Sequence, residues 1–311
     1  MRILILGAGA LGSLLGARLS EATETVLFSR NREHIQAIRE YGLVIEELDG
    51  SERRLSVPAA SRPDEIPTAP DLVITVVKAY DTSAAVQAVL PICRENTLFL
   101  SLQNGLGNLE QIVEAGLTER ALAGITAQGA TFLGPGRVRH GGLGPTHLGE
   151  PDGPISRRVR QVVDIFNQAG LQATAAEQAR RLIWRKLIIN VGINPITAIS
   201  RVPNGWIADR PEASELASTA VEEAVAVARA SGFDPGGSMT ETVMEVARAT
   251  ASNISSMHQD IRSGKRTEIE SINGAVVQRG EKLGLATPVN RTLTSLVQLI
   301  ERRNQQEDTH G

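Results

Sequence analysis

Cysteine is nearly absent from this chain of 311 residues: the single Cys93 can form neither an internal disulfide nor a multi-thiolate metal site, which suits a reducing compartment. Its expected role is that of a small buried hydrophobe. Aromatic residues are scarce at 3%, and the formal charge is -3 with a pI near 6.0. The chain therefore lacks both the basic footprint and the stacking surface of a nucleic-acid binder. No uninterrupted apolar run reaches the ~18 residues of a membrane span. His34, His140, His147 and His310 show no metal-ligand spacing, so no metal is expected. The opening "MRILILGAGALGSLLGARL" has the charge, apolar run and small residues of a secretory signal, but its glycines fall at a functional spacing. The expectation is a cytoplasmic protein whose partners include neither nucleic acid nor membrane; a homodimer is permitted but not specified.

What is present is the material of a globular chain: 41% hydrophobic and 22% charged residues, with a mean hydropathy of -0.08. The length suits two domains, because one core seldom grows beyond ~250 residues. In the first half, short β-rich runs alternate with helical ones, the pattern of a parallel sheet covered by helices. "RILIL", "TVLFS", "DLVITVV" and "TLFLSLQ" are the clearest strands, and the Gly-rich "ALAGITAQGATFL" and "PTHLGE" are assigned to the far edge of that sheet. From about Glu177 the texture becomes helical, with Gly232 and Gly264 as natural stops and "TEIE" (267–270) as a capping box opening the next helix. The expected domains are 1–176 and 177–303, with a disordered tail at 304–311.

Gly7, Gly9 and Gly12 form G-x-G-x-x-G directly between the strand "RILIL" and the helix "SLLGARLS". In that context the first glycine permits a tight turn, the second lets backbone approach a pyrophosphate, and the third allows close helix packing. Gly7, Gly9, Ala10, Leu11 and Gly12 are thus the expected phosphate loop; a turn selected only for packing is the alternative. After the second strand comes "FSRNR", with arginines and no carboxylate, which selects NADPH/NADP+ over NADH. Arg30 is the expected contact and Arg32 a solvated charge. Lys78 and Asn104 immediately follow two further strands, where ligands of open parallel sheets bind, although ordinary loop polarity would place them there too.

"WRKLIINVGINP" (184–195) is apolar except for Lys186, Asn190 and Asn194, spaced four apart. Four helical residues turn about 400°, so the three form one stripe roughly 12 Å long. Buried ammonium and amide groups need partners, so the stripe is either satisfied by protein or lines a wet cleft. Pro195 is expected to end or bend this helix, with Asn204 of "VPNGW" nearby. Beside a nicotinamide, a buried lysine suggests carbonyl reduction, since an ammonium can stabilise and then protonate the alkoxide. In "NISSMHQDIRSGKRTEIE", Ser256 and Asp260 share a helical face, and Glu268 is placed in the first turn of a helix capped by Thr267. An ionised Glu268 could hold Lys186 charged, and Ser256 could donate to a substrate carboxylate. His258 is expected to be an ordinary exposed helix histidine.

Taken together, "GAGALGSLLGARL", "VVKAYDT", "LQNGLGN", "WRKLIINVGINPITAI", "VPNG", "NISSMHQDIRSGKRTEIESINGAVV" and "GLATPVN" resemble the ketopantoate reductase (2-dehydropantoate 2-reductase) family over nearly the whole chain. The resemblance implies an α/β Rossmann-type N-terminal domain plus an all-α C-terminal domain of the 6-phosphogluconate dehydrogenase C-terminal type, with NADPH and a small-molecule 2-keto acid between them. It implies Lys186 as general acid and Glu268 as the active-site carboxylate. Asn104, Asn190, Asn194, Asn204 and Ser256 are implied substrate contacts, with Asn104 also near the nicotinamide. Arg30 would contact the 2'-phosphate and Lys78 would lie deeper in the cofactor cleft. A paralogue acting on another branched 2-keto acid, or an NADPH-binding regulatory protein without turnover, are the competing readings.

Overall fold

The computed structural model describes residues 1–310, with side chains through residue 306. The backbone divides into two compact units, one of Met1–Gln103 and Asn108–Arg180, the other of Asn104–Gly107 and the chain from Arg181 onward. In chain order the first contains β1 (Ile3–Leu6), α1 (Ala10–Ser20), β2 (Thr25–Phe28), α2 (Arg32–Tyr41), β3 (Leu43–Glu46), β4 (Glu52–Leu55), β5 (Ala59–Ala60), β6 (Leu72–Thr75) and α3 (Thr82–Val89). It continues with β7 (Leu98–Ser101), α4 (Asn108–Ile112), β8 (Ala121–Thr126), β9 (Gly129–Gly134), β10 (Arg137–Gly142), β11 (Thr146–Gly149), α5 (Arg157–Gln168) and β12 (Ala173–Ala175).

The main sheet has the order β12-β11-β8-β7-β6-β1-β2-β5. β1 is paired in parallel on both sides, with β2 and β6, and the strand order reverses between β1 and β6. Such a reversal leaves a crevice at the carboxyl ends of the strands. Every residue of β1 and β6 is buried, as continuous apolar runs in a sheet covered on both faces should be. The Gly-rich stretch departs from expectation. β8 and β11 do extend the main sheet, but β9 leaves it and joins a separate four-stranded sheet, β4-β3-β10-β9. The signal for that sheet was weak because β4 carries the exposed, charged sequence "ERRL".

The second unit is helical: α6 (Ala179–Ser200, entering the unit at Arg181), α7 (Trp206–Asp209), α8 (Pro211–Ala230), α9 (Met239–Ala249), α10 (Ser256–Arg262), α11 (Asn273–Leu283) and α12 (Pro288–His310). Its core gathers Leu187, Ile188 and Val191 of α6 with Ala217, Val221 and Ala224 of α8, Val243 of α9 and Val276 of α11. A small residue on α6 lets α8 and α9 approach closely; a Cβ on Gly192 would come within 2.9 Å of both Val221 and Val243. α6 has the length and hydropathy (1.2) of a membrane span, yet 61% of its apolar window is buried in the fold. A helix apolar on most sides is what a protein interior requires.

Three expectations are corrected. Of the two outcomes expected at Pro195, an end or a bend, the first does not occur, since α6 continues through it to Ser200. Residues 304–310 are helical in α12, where a disordered tail was expected; Gly311 lies outside the described residues. The box at 267–270 does not form. Thr267 Oγ1 accepts instead from Ile269 N at 3.1 Å, and Glu268 stands before a 3-10 turn (Ile269–Ser271) that leads into α11.

Candidate active site

In the first unit the turn after β1 is built by steric necessity. Gly7 has φ +114°, and a Cβ there would lie 2.6 Å from Val77 N; a Cβ on Gly12 would lie 2.1 Å from the Gly7 carbonyl oxygen. Gly9 differs from both, because a Cβ on it would meet nothing within 4 Å. The loop is thus closed on the side of the protein and open at Gly9, the room a pyrophosphate needs. Gly9 is also the N-cap of α1 and offers no side-chain cap, so the first N–H groups of the helix, at Ala10, Leu11 and Gly12, remain for a ligand. These observations fit a dinucleotide.

Arg30 extends from the end of β2 and is exposed. Its Nη2 lies 2.6 Å from Oδ1 of Asp81, in the turn that begins at Lys78. That turn is held by a buried polar relay with no counterpart in the sequence reading. Gln103 Nε2 donates to the Val77 carbonyl at 2.8 Å and to Thr82 Oγ1 at 2.6 Å, while Ser101 Oγ donates to Gln103 Oε1 at 3.1 Å. Thr82 Oγ1 in turn bonds Asn108 Oδ1 at 3.0 Å. Gln103 therefore positions the segment carrying Lys78. Asn104, its neighbour in "LQN", is legible as a site residue because it follows the strand, but a glutamine one residue earlier carries no sequence signal that it faces inward.

In the second unit Lys186 and Asn190 are partly exposed, whereas Asn194 is 5% exposed, so the stripe on α6 descends into the core. Protein crowds the Lys186 ammonium: desolvation pulls its pKa from 10.5 to about 8, and the Glu268 carboxylate acts in the opposite direction. Glu268 is itself only 7% exposed. Its backbone carbonyl accepts from Ser271 N and Ile272 N, both at 3.1 Å, which fixes the turn. The Ser271 carbonyl accepts from Leu106 N at 2.8 Å, and Gly105 (φ +85°) packs so closely that a Cβ would lie 2.5 Å from that oxygen. Asn104 is thus placed by a glycine turn docked three residues from Glu268, a long-range link invisible in the sequence.

Ser255, not Ser256, caps α10: its Oγ accepts from His258 N at 3.2 Å and shares a 2.8 Å hydrogen bond with Thr197 Oγ1 on α6. This pins the start of α10 one turn beyond Asn194 and leaves Ser256 exposed. Asn204 is 8% exposed; its Nδ2 donates to Thr250 Oγ1 at 3.0 Å, while its Oδ1 has no partner among the described residues. The expectation of an exposed His258 is wrong, since it is 6% exposed and desolvation lowers its pKa. Its place on the inner side of a seven-residue helix, between Met257 and Ile261 in the core, accounts for the burial. Cys93 is half-buried, and desolvation raises its thiol to about 11, which keeps it protonated and unreactive.

Hydride chemistry on a carbonyl requires a clamp for a dinucleotide and an acid whose proton is available near neutrality. The first unit provides the former and the second the latter, which defines the class as a nicotinamide-dependent oxidoreductase with a Rossmann-type domain and an all-helical domain. The family profile described as Ketopantoate reductase PanE/ApbA matches residues 3–153, and that described as Ketopantoate reductase PanE/ApbA C terminal matches residues 178–301. The chain belongs to the ketopantoate reductase family. It is 40% identical to the 2-dehydropantoate 2-reductase of Halobacterium salinarum over 303 residues, covering 97% of this chain and 99% of that protein. Among solved structures, a ketopantoate reductase from Ralstonia eutropha superposes with a TM-score of 0.89 at 34% identity, covering 98% of this chain and 100% of the other. A D-mandelate dehydrogenase with NADH and anilino(oxo)acetate superposes at 0.91 with 28% identity, over the same shares.

Proposed function

We propose that this protein reduces 2-dehydropantoate to pantoate with NADPH, a step toward pantothenate and coenzyme A. The observation that carries the reading is Lys186, a crowded ammonium whose pKa of about 8 leaves it charged yet ready to release a proton near neutral pH. When bound, NADPH supplies the hydride. As negative charge develops on the keto oxygen, Lys186 stabilises it and then transfers its proton there. Glu268 keeps Lys186 protonated against desolvation. Asn104, Asn190, Asn194, Asn204 and Ser256 hold the carboxylate and hydroxyl of the keto acid, so that the carbonyl is presented in one orientation. Gly7, Gly9, Ala10, Leu11 and Gly12 hold the pyrophosphate, Arg30 the 2'-phosphate, and Lys78 the cofactor beyond it. No metal takes part. The expected setting is the cytoplasm, with no nucleic-acid or membrane partner; assembly as a homodimer is compatible with the family reading.

The likeness to a D-mandelate dehydrogenase favours one second reading, reduction of a different 2-keto acid by the same machinery. Purified protein assayed for nicotinamide absorbance loss with 2-dehydropantoate, benzoylformate and aliphatic 2-keto acids, each with NADPH and NADH, separates the two. The proposal expects turnover concentrated on 2-dehydropantoate with NADPH, and a drop of at least about a hundredfold in kcat for Lys186→Met. Preference for benzoylformate would move the assignment to the second reading; undiminished turnover in Lys186→Met would remove Lys186 from the chemistry.

A further inference from the structure

Arg30 is the residue expected to hold a 2'-phosphate, but its guanidinium already holds an anion. Asp81 Oδ1 lies 2.6 Å from Arg30 Nη2, with the two side chains 30% and 70% exposed. Arg30 follows β2 and Asp81 follows β6, the strands flanking β1 on either side, so the pair spans the carboxyl edge of the sheet beside the glycine loop. Asp81 also occupies the N-cap position of α3, where an aspartate ordinarily accepts a backbone N–H of its helix. Here it makes no side-chain capping bond. Its carboxylate is directed at Arg30 instead.

We propose that Asp81 is a cofactor-selectivity residue acting through Arg30, and that it reduces the preference for a 2'-phosphorylated dinucleotide. The inference rests on the NADPH reading of the loop. A 2'-phosphate carries 1.5 to 2 negative charges by the usual behaviour of phosphomonoesters, about two at most at neutral pH. Bound to Arg30, it must share the guanidinium with Asp81 and lie close to a like charge. A ribose 2'-hydroxyl meets no such repulsion and can donate to the same carboxylate, as acids at this edge do in dinucleotide folds. Arg30 and Asp81 thus pull selectivity in opposite directions, and the balance is a property of the pair.

At a water-screened site, removing one unit of like charge beside a phosphate corresponds to about fivefold in binding. Calorimetric titration of 2',5'-ADP and 5'-ADP into the wild-type protein, Asp81→Asn and Asp81→Ser reads this directly, without turnover, and fluorescence titration with NADPH and NADH repeats it on whole cofactors. The expected result is that both variants bind 2',5'-ADP and NADPH about fivefold tighter at low salt, with 5'-ADP unchanged or weaker and the gain shrinking as salt rises. Unchanged or weaker 2',5'-ADP binding in both variants, with wild-type NADPH binding intact, would overturn the role of Asp81 alone. Failure of the wild-type protein to bind any of the four would overturn the cofactor reading and this proposal with it.

Discussion

Substituting Glu268 by glutamine should shift the pH dependence of keto-acid reduction rather than merely lower its rate. Lys186 donates a proton in this direction, so activity is present while the ammonium is protonated and is lost as pH rises through its pKa, about 8. Two opposed effects set that value. Desolvation lowers it from 10.5, and the Glu268 carboxylate raises it. Glutamine keeps the size and hydrogen-bonding reach of the side chain but removes the charge. An opposite charge at close range is worth about one to three pKa units, so the alkaline limb should move to about pH 7 or lower. For a one-unit change the protonated fraction falls about threefold at pH 7.5 and only by about a tenth at pH 6. The assay is kcat/KM for 2-dehydropantoate with saturating NADPH across that range, with 4-deuterated cofactor to show that the chemical step is being read. A limb that stays at the wild-type pH in Glu268→Gln, whatever the absolute rate, would refute the claim that Glu268 sets the charge of Lys186.

His34 makes the fold acid-sensitive. It is wholly buried, receives Gly136 N on Nδ1 at 2.9 Å and bonds Ser13 Oγ through Nε2 at 3.0 Å, and burial lowers its pKa from 6.5 to about 4. The folded-state value is depressed, so the unfolded chain gains the proton first. Stability is at its full value above about pH 6.5 and declines as pH falls toward about 4, by up to about 3 kcal/mol. Urea midpoints measured across that interval should show the slope in the wild type and a flatter one in His34→Gln; equal slopes would contradict it. Gly12→Ala should lower the melting temperature and weaken NADPH binding at least about tenfold, since the new methyl falls on the Gly7 carbonyl and forces the loop open. Wild-type affinity in that variant would mean the loop is not the cofactor clamp.

The sequence alone determined what depends on local pattern. Continuous apolar runs produced β1, β2, β6 and β7, because a strand buried on both faces has no polar residues to interrupt it. The glycines of the first turn and the four-residue spacing on α6 were legible for the same reason: each follows from backbone geometry within about a dozen residues. Where the reading failed, local pattern gave way to packing. Gly-rich β9 reads as the far edge of the main sheet and charged β4 as surface, yet both belong to a second sheet, β9 paired with β10 and β4 with β3. Thr267 and Glu270 stand at capping-box spacing, yet Thr267 closes a 3-10 turn and the Glu270 carboxylate meets Gln298 on α12. His258 sits in a polar stretch and faces the core.

Only the tertiary structure decided which charges act on one another. Lys186 and Glu268 are 82 residues apart, so the sequence offers their pairing only as an expectation; it is the fold that crowds the ammonium and sets the carboxylate against it, bringing its pKa to about 8. Likewise Arg30 reads in the sequence as a cation with no carboxylate in "FSRNR", and Asp81 lies 51 residues away. Their 2.6 Å contact exists because parallel strands on the two sides of β1 end at one edge, and strand order is a property of the whole sheet rather than of any segment in it.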